Sequence, residues 1–151
     1  MEYREQKMNL FDVDKSYTLC HCISKDCELG KGIARVFAKE YPRMKPFLKD
    51  AVKFLHYTVG DAIRYDDGNS LKHKHNVINL ITKEKYWHKP TYHTLKLALF
   101  SCKVICKDMG ITKLAMPYIG CGLDRLKWEK VREIIKEIFD DTDIEILVCY
   151  L

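Results

Sequence analysis

The sequence predicts an α/β fold: a central mixed, largely parallel sheet with helices on both faces. Three observations lead there. Short apolar runs rich in β-branched residues alternate with segments of helical period. The runs are apolar almost throughout rather than every second residue, as strands covered on both faces are. No repeat, low-complexity tract or Pro/Gly/Ser linker interrupts them, so residues 1–151 read as a single domain.

Taken in order, TLCHCIS (18–24), NVINLIT (76–82), KLAMPYI (113–119) and IEILVCY (144–150) are expected as buried strands. A helix is expected from Gly32 to Lys39, with Ile33, Val36 and Phe37 on one face, and another over 44–52. Tyr92, Leu95, Leu99, Cys102 and Cys106 recur at spacings of three and four and mark a third. Val131, Ile134, Ile135, Ile138 and Phe139 mark a fourth, opening near Leu126. Helices between consecutive strands imply crossover connections, hence parallel neighbours.

Composition narrows the class. Hydrophobic residues make up 47% and charged residues 31% of the 151, and no apolar run approaches the roughly 18 residues of a membrane span. The opening MEYREQKMNLF has no signal-peptide core, and seven cysteines, an odd count, read as thiols. Both point to the cytoplasm, or to the nucleus in a eukaryote. A formal net charge of +5 favours an anionic ligand without suggesting a nucleic-acid coat protein. The one local basic cluster, Lys72 to His75, reads as a solvated hairpin tip or, alternatively, as a nucleic-acid patch.

In open parallel sheets ligands bind beyond the carboxyl ends of the strands. Three segments leave such ends: 25–31, 83–89 and 120–125. The first contains Gly30 and Gly32 just before a helix, where glycine permits close backbone approach and the free N–H groups attract anions. Alone it is as well read as a structural turn. The third, GCGLD, ends a different strand on the same edge, and two backbone nests facing one cleft suit a pyrophosphate. Asp124 opposes phosphate by charge, so it reads either as a chemical or ribose-binding group or as the N-cap of the next helix. Lys83, where NVINLIT runs out, is a solvent-seeking strand-end lysine or a nucleophile that must first lose a proton.

Other chemistry is less well supported by spacing. Cys20, His21, Cys22 and Cys27 suggest zinc, yet within a strand His21 faces away from Cys20 and Cys22, so buried thiols are the better reading. Cys121 with His88 or His93 as base matches no thiol-hydrolase spacing.

Together, LCHCISKDCELGKGIA, LITK followed by HKPTY, and MPYIGCGLDRLKWE are similar to the macrodomain family over nearly the whole chain. The last two motifs resemble the branch typified by terminal ADP-ribose protein glycohydrolase, or O-acetyl-ADP-ribose deacetylase. The resemblance implies a three-layer α/β/α macrodomain that binds ADP-ribose and removes mono-ADP-ribose from glutamate and aspartate esters. It also implies deacylation of O-acetyl-ADP-ribose and, by likeness to antitoxin macrodomains, removal of ADP-ribose from DNA. Alternatively the chain is a non-catalytic ADP-ribose reader. Implied roles are Lys83 as a nucleophile attacking the distal ribose C1 and Asp124 as the acid/base group. Leu10 and Ser24 line the implied ligand site, the backbone of Tyr118, Ile119, Gly120, Cys121, Gly122 and Leu123 holds pyrophosphate and distal ribose, and Leu151 closes the adenosine end.

The sequence departs from the family in two places. Asn9 stands where an aspartate usually accepts the adenine amino group; an amide oxygen accepts without the charge. Tyr86 and Trp87 make the segment before HKPTY unusually aromatic, through substrate selection or loop packing. The expected partners are ADP-ribose and ADP-ribosylated protein or DNA, with no membrane, metal or cofactor, for a chain expected to act as a monomer.

Overall fold

A computed structural model describes residues 1–68 and 75–151. Six strands, β1 (Glu2–Lys7), β2 (Thr18–Ser24), β3 (Ala62–Tyr65), β4 (Val77–Lys83), β5 (Lys113–Met116) and β6 (Glu145–Tyr150), form one sheet in the order β1-β6-β5-β2-β4-β3. All neighbours are parallel except β3 and β4. The helices are α1 (Gly32–Glu40), α2 (Met44–Leu55), α3 (Tyr92–Met109) and α4 (Trp128–Phe139). The mixed, largely parallel sheet between two helical layers is as expected.

Alternation along each strand divides the interior in two. Leu19, Ile23, Val77, Ile81, Ala115 and Leu147 pack with α1 and α2, chiefly Phe37, Met44 and Leu48. Cys20, Ile78, Leu80, Leu114, Ile146 and Val148 pack with Leu95, Leu99, Val131 and Ile135 of α3 and α4. His21 lies on the first face, its ring stacked 3.8 Å from Phe37, opposite in sense to Cys20 and Cys22. The zinc reading of this stretch has no geometric support: no group of three or more His, Cys, Asp or Glu among the described residues is placed to hold a metal.

Several boundaries differ from expectation for identifiable reasons. β5 stops at Met116 because Pro117 has no N–H for the ladder. α4 starts at Trp128, not near Leu126, because Arg125 takes a left-handed φ of 62° and Leu126 N–H bonds back to Gly120 O at 2.8 Å. Val36 is exposed, the inner face of α1 being formed by Ile33, Ala34, Phe37 and Ala38. β1 and β3 are additional: the first is a polar edge strand, the second only four residues long. α3 carries a capping box from Thr91 to Thr94 and ends on Gly110 at φ 66°. Among the described residues no helix is long and apolar enough to cross a membrane. Of the basic cluster, Lys72, His73 and Lys74 lie outside the described residues. His75 is buried, its N–H on Tyr41 Oη at 3.0 Å and its Nδ1 on Tyr17 O at 2.8 Å, and so is no part of an exposed tip.

Candidate active site at the strand carboxyl ends

The parallel strands release three loops on one side, and these enclose a cleft of about 990 Å³. The sequence-derived segments meet there: Gly30 and Gly32 from the β2–α1 loop, Lys83 at the end of β4, and Tyr118 to Asp124 after β5. Asn9 and Leu10 from a short 3-10 turn, Ser24 from β2 and Leu151 after β6 complete the wall. Every residue that the sequence nominates for the ligand site therefore borders the same space. Val36, exposed on α1, is accounted for by facing it.

The backbone of the two glycine loops is unusual in the same way. In the first, Cys27, Leu29 and Gly32 take φ of 54°, 47° and 58°, the first two being buried non-glycine residues in a region that costs a side chain about 1–2 kcal/mol. In the second, Gly120 (φ 73°) and Gly122 (φ 70°) flank an extended Cys121. A Cβ on Gly120 would lie 2.9 Å from Leu126 Cδ1, so any other residue there would have to displace that leucine as well as adopt a left-handed conformation. The loops touch: Leu123 Cδ1 stands 3.3 Å from where a Gly32 Cβ would be. α1 opens at Gly32 with no side-chain cap, leaving its N-terminal N–H groups to an anion.

At the centre Lys83 Nζ lies 2.7 Å from Asp124 Oδ1, each side chain 15% exposed. Their meeting depends on a local irregularity. β2 and β4 pair Ile23 with Ile81 but Ser24 with Lys83, a bulge that passes over Thr82 and re-aims the lysine. Asp124 ends the 3-10 turn Gly122–Asp124 and caps no helix; the N-cap of α4 is Lys127. Lys89 Nζ holds the same turn through Leu123 O at 2.5 Å.

Asp26, unnoticed in the sequence, organises the rim. Its carboxylate accepts from Ser24 Oγ, from Tyr86 N–H at 3.0 Å and from Glu28 N–H at 3.4 Å. Burial pushes this carboxyl up, but those hydrogen bonds prevail and hold it below its ordinary value. Lys25 N–H to Lys83 O (2.8 Å) and Asp26 N–H to Glu84 O (3.2 Å) continue the ladder past the strand ends. A carboxylate two residues beyond a strand-end serine was the available signal. The Ser24 hydroxyl proton is thus engaged by Asp26, and Asn9 Oδ1 already accepts Phe11 N–H at 2.9 Å, keeping one lone pair for a ligand.

The thiols near the cleft are poor nucleophiles. Burial pushes Cys22 up to about 12, and burial followed by the Asp124 charge raises Cys121. No hydrogen bond joins Cys121 to His88 or His93 among the described residues, both of which are exposed. On the β6 side Tyr118 stacks between Tyr150 at 5.7 Å and Trp128 at 4.5 Å. Trp128 donates Nε1–H to Glu5 at 3.3 Å, where Arg132 is bidentate (2.6 and 3.1 Å) and Tyr3 Oη adds 2.7 Å. The Arg132 guanidinium, against the pull of burial, brings the Glu5 carboxyl down to about 2. Trp128 is a packing residue.

A three-layer α/β/α sandwich with two glycine loops over the strand ends is the architecture of a macrodomain, and the Macro domain family model matches residues 20–135. The chain belongs to the macrodomain family. It is 42% identical over 143 residues to the human ADP-ribose glycohydrolase OARD1, an alignment covering 94% of this chain and 87% of that protein. It is 33% identical over 116 residues to the DNA ADP-ribosyl glycohydrolase of Mycobacterium tuberculosis, covering 74% of this chain but 31% of the relative. Among solved structures, the macrodomain of Mycobacterium tuberculosis DarG matches with a TM-score of 0.88 at 22% identity, over 99% of this chain and 97% of that one.

Proposed function

We propose that this macrodomain is an ADP-ribosyl hydrolase that uses Lys83 as nucleophile and Asp124 as acid/base group. The observation that carries the reading is the Lys83–Asp124 pair, 2.7 Å apart in a cleft bordered by both glycine loops. A reader of ADP-ribose needs the glycine loops but has no use for this pair. The human relative is named an ADP-ribose glycohydrolase, which supports the same activity here.

ADP-ribose lies with its pyrophosphate between the α1 N-terminus and the Gly120–Gly122 loop, where backbone N–H groups and the helix dipole favour negative charge. Leu10 and Leu151 flank the adenosine, and Asn9 accepts from the base through its remaining lone pair. The distal ribose sits over Lys83. When its entry displaces water from the pair, the Lys83 proton passes to Asp124 and the amine attacks C1. The C1–O bond to the substrate carboxylate breaks, and the carboxylate leaves with the bonding electrons and the proton held by Asp124. Asp124, ionised again, then takes a proton from water, hydroxide adds to C1, and the C1–N bond returns its electrons to Lys83. That proton passes back to the amine and restores the resting pair. The sum is ester plus water giving carboxylate, ADP-ribose and a proton. Aspartyl and glutamyl esters share the anomeric ester that this chemistry serves, and O-acetyl-ADP-ribose is served in the same way when its acetyl group is carried on the anomeric oxygen.

Mass spectrometry of wild type and Asp124→Ala after exposure to a glutamate-linked mono-ADP-ribosylated peptide tests the scheme. An ADP-ribose adduct on Lys83 that persists in Asp124→Ala is the expected result. Undiminished turnover by Lys83→Ala with normal ADP-ribose binding would refute it.

A further inference from the structure

Tyr86 and Trp87 stand at the mouth of the cleft, on the side that follows Lys83, with 52% and 62% of their surface exposed. Aromatic rings left this open add little to the core, and their placement is nevertheless fixed. Tyr86 N–H is held by Asp26, whose own backbone is tied to Glu84, and His88 N–H closes a turn on Lys85 O at 3.0 Å. Tyr86 and Trp87 meet edge to face at 5.1 Å and 87°, and Trp87 meets His88 at 5.4 Å and 76°. The outcome is a braced aromatic ledge on the rim beside Lys83.

Its surroundings are mainly cationic. Lys25, Lys31, Lys85 and Lys89 lie on the loops that border it. Three carboxylates share these loops: Glu84, which Lys25 meets at 3.9 Å, Glu28, which Lys49 meets at 3.6 Å, and Asp26, already engaged by Ser24, Tyr86 and the Glu28 N–H. A glutamate or aspartate side chain offers such a ledge no aromatic face to stack on. A nucleobase offers a π-face for stacking, and the phosphates of its neighbours suit the lysines. We infer that Trp87, supported by Tyr86, is a specificity-determining residue that stacks the base of an ADP-ribosylated single-stranded nucleic acid, the ADP-ribose being threaded past it to Lys83. This deepens the hydrolase reading and rests on it. The base must be unpaired, because a duplex does not bring a stacked base to a recessed pair 15% exposed.

The test measures kcat/KM for two substrates, a single-stranded oligonucleotide bearing one mono-ADP-ribosylated base and a peptide bearing one glutamate-linked mono-ADP-ribose. The protein is used as wild type, Trp87→Ala and Trp87→Phe, with thermal unfolding run alongside. The ratio of the oligonucleotide value to the peptide value is expected to fall roughly 5- to 150-fold in Trp87→Ala and to be largely restored in Trp87→Phe. A ratio within two-fold of wild type in Trp87→Ala overturns the inference, as does wild type cleaving the peptide alone; both leave the hydrolase reading standing. Wild type that binds ADP-ribose and cleaves neither substrate overturns the hydrolase reading, and the inference with it.

Discussion

Two short ion pairs, Lys83–Asp124 at 2.7 Å and Arg132–Glu5 at 2.6 Å, stand in contrasting surroundings. Glu5 accepts from Arg132 twice and from Tyr3, Trp128 and Tyr118, so both its oxygens are engaged. Asp124 has one side-chain hydrogen bond, from Lys83, and faces a cleft. A carboxylate with saturated lone pairs is fixed in charge and position and serves the fold. One with spare acceptor capacity beside a lysine can exchange a proton with an incoming group. Saturation, more than distance, separates the structural pair from the chemical one.

The largest expected effect breaks the chemical pair. Lys83→Ala should lower kcat on a mono-ADP-ribosylated peptide by at least about 10³-fold while shifting the unfolding midpoint little. Next comes acid sensitivity. The His21 ring is wholly buried, its Nε2 on Asn79 Oδ1 at 2.6 Å and its Nδ1 without a partner among the described residues, and burial brings its pKa from 6.5 down to about 4. The folded state therefore binds fewer protons than the unfolded state between those values. Stability should be full above about pH 6.5 and fall by roughly 3 kcal/mol as pH drops to 4. The Glu5 contribution has the other window, present above 4.5 and lost as pH falls through about 2. Denaturant melts between pH 5 and 6.5 should thus show a slope that His21→Leu removes.

Glu5→Gln sharpens the contrast from the structural side. It strips the charge from a carboxylate that accepts five hydrogen bonds, one of them from the cleft-wall Tyr118, and should cost about 2 kcal/mol in denaturant melts, with a far smaller loss of turnover per folded molecule than Lys83→Ala. The smallest effect compares two glycines beside Asp124. Gly120→Ala adds a 2.9 Å contact to left-handed strain and should cost about 2 kcal/mol, whereas Gly122→Ala meets nothing within 4 Å and should cost about 1.

The fold was legible wherever burial on both faces wrote itself as an unbroken apolar run, as in TLCHCIS and NVINLIT. β1 escaped because EYREQK is a polar edge strand identified only by its pairing with β6, and β3 because four residues carry no period. The cleft was legible because strand ends share an edge in a parallel sheet, which brought three separate segments together; Asn9, Leu10, Ser24 and Leu151 were reached only through the resemblance to the macrodomain family. The bulge at Thr82 that aims Lys83, and the hydrogen bonds by which Asp26 braces Tyr86, were not. Both arise from pairing between distant segments, and no local pattern encodes them.

The left-handed, extended, left-handed run at Gly120–Gly122 leaves Cys121 half-exposed on the cleft wall, and apart from Cys22 the other five thiols are buried. The protein thus carries a reporter of its own occupancy. At mildly alkaline pH a small alkylating reagent should modify Cys121 ahead of the buried thiols, and a bound ligand should slow that modification, giving a readout of binding that needs neither turnover nor a label.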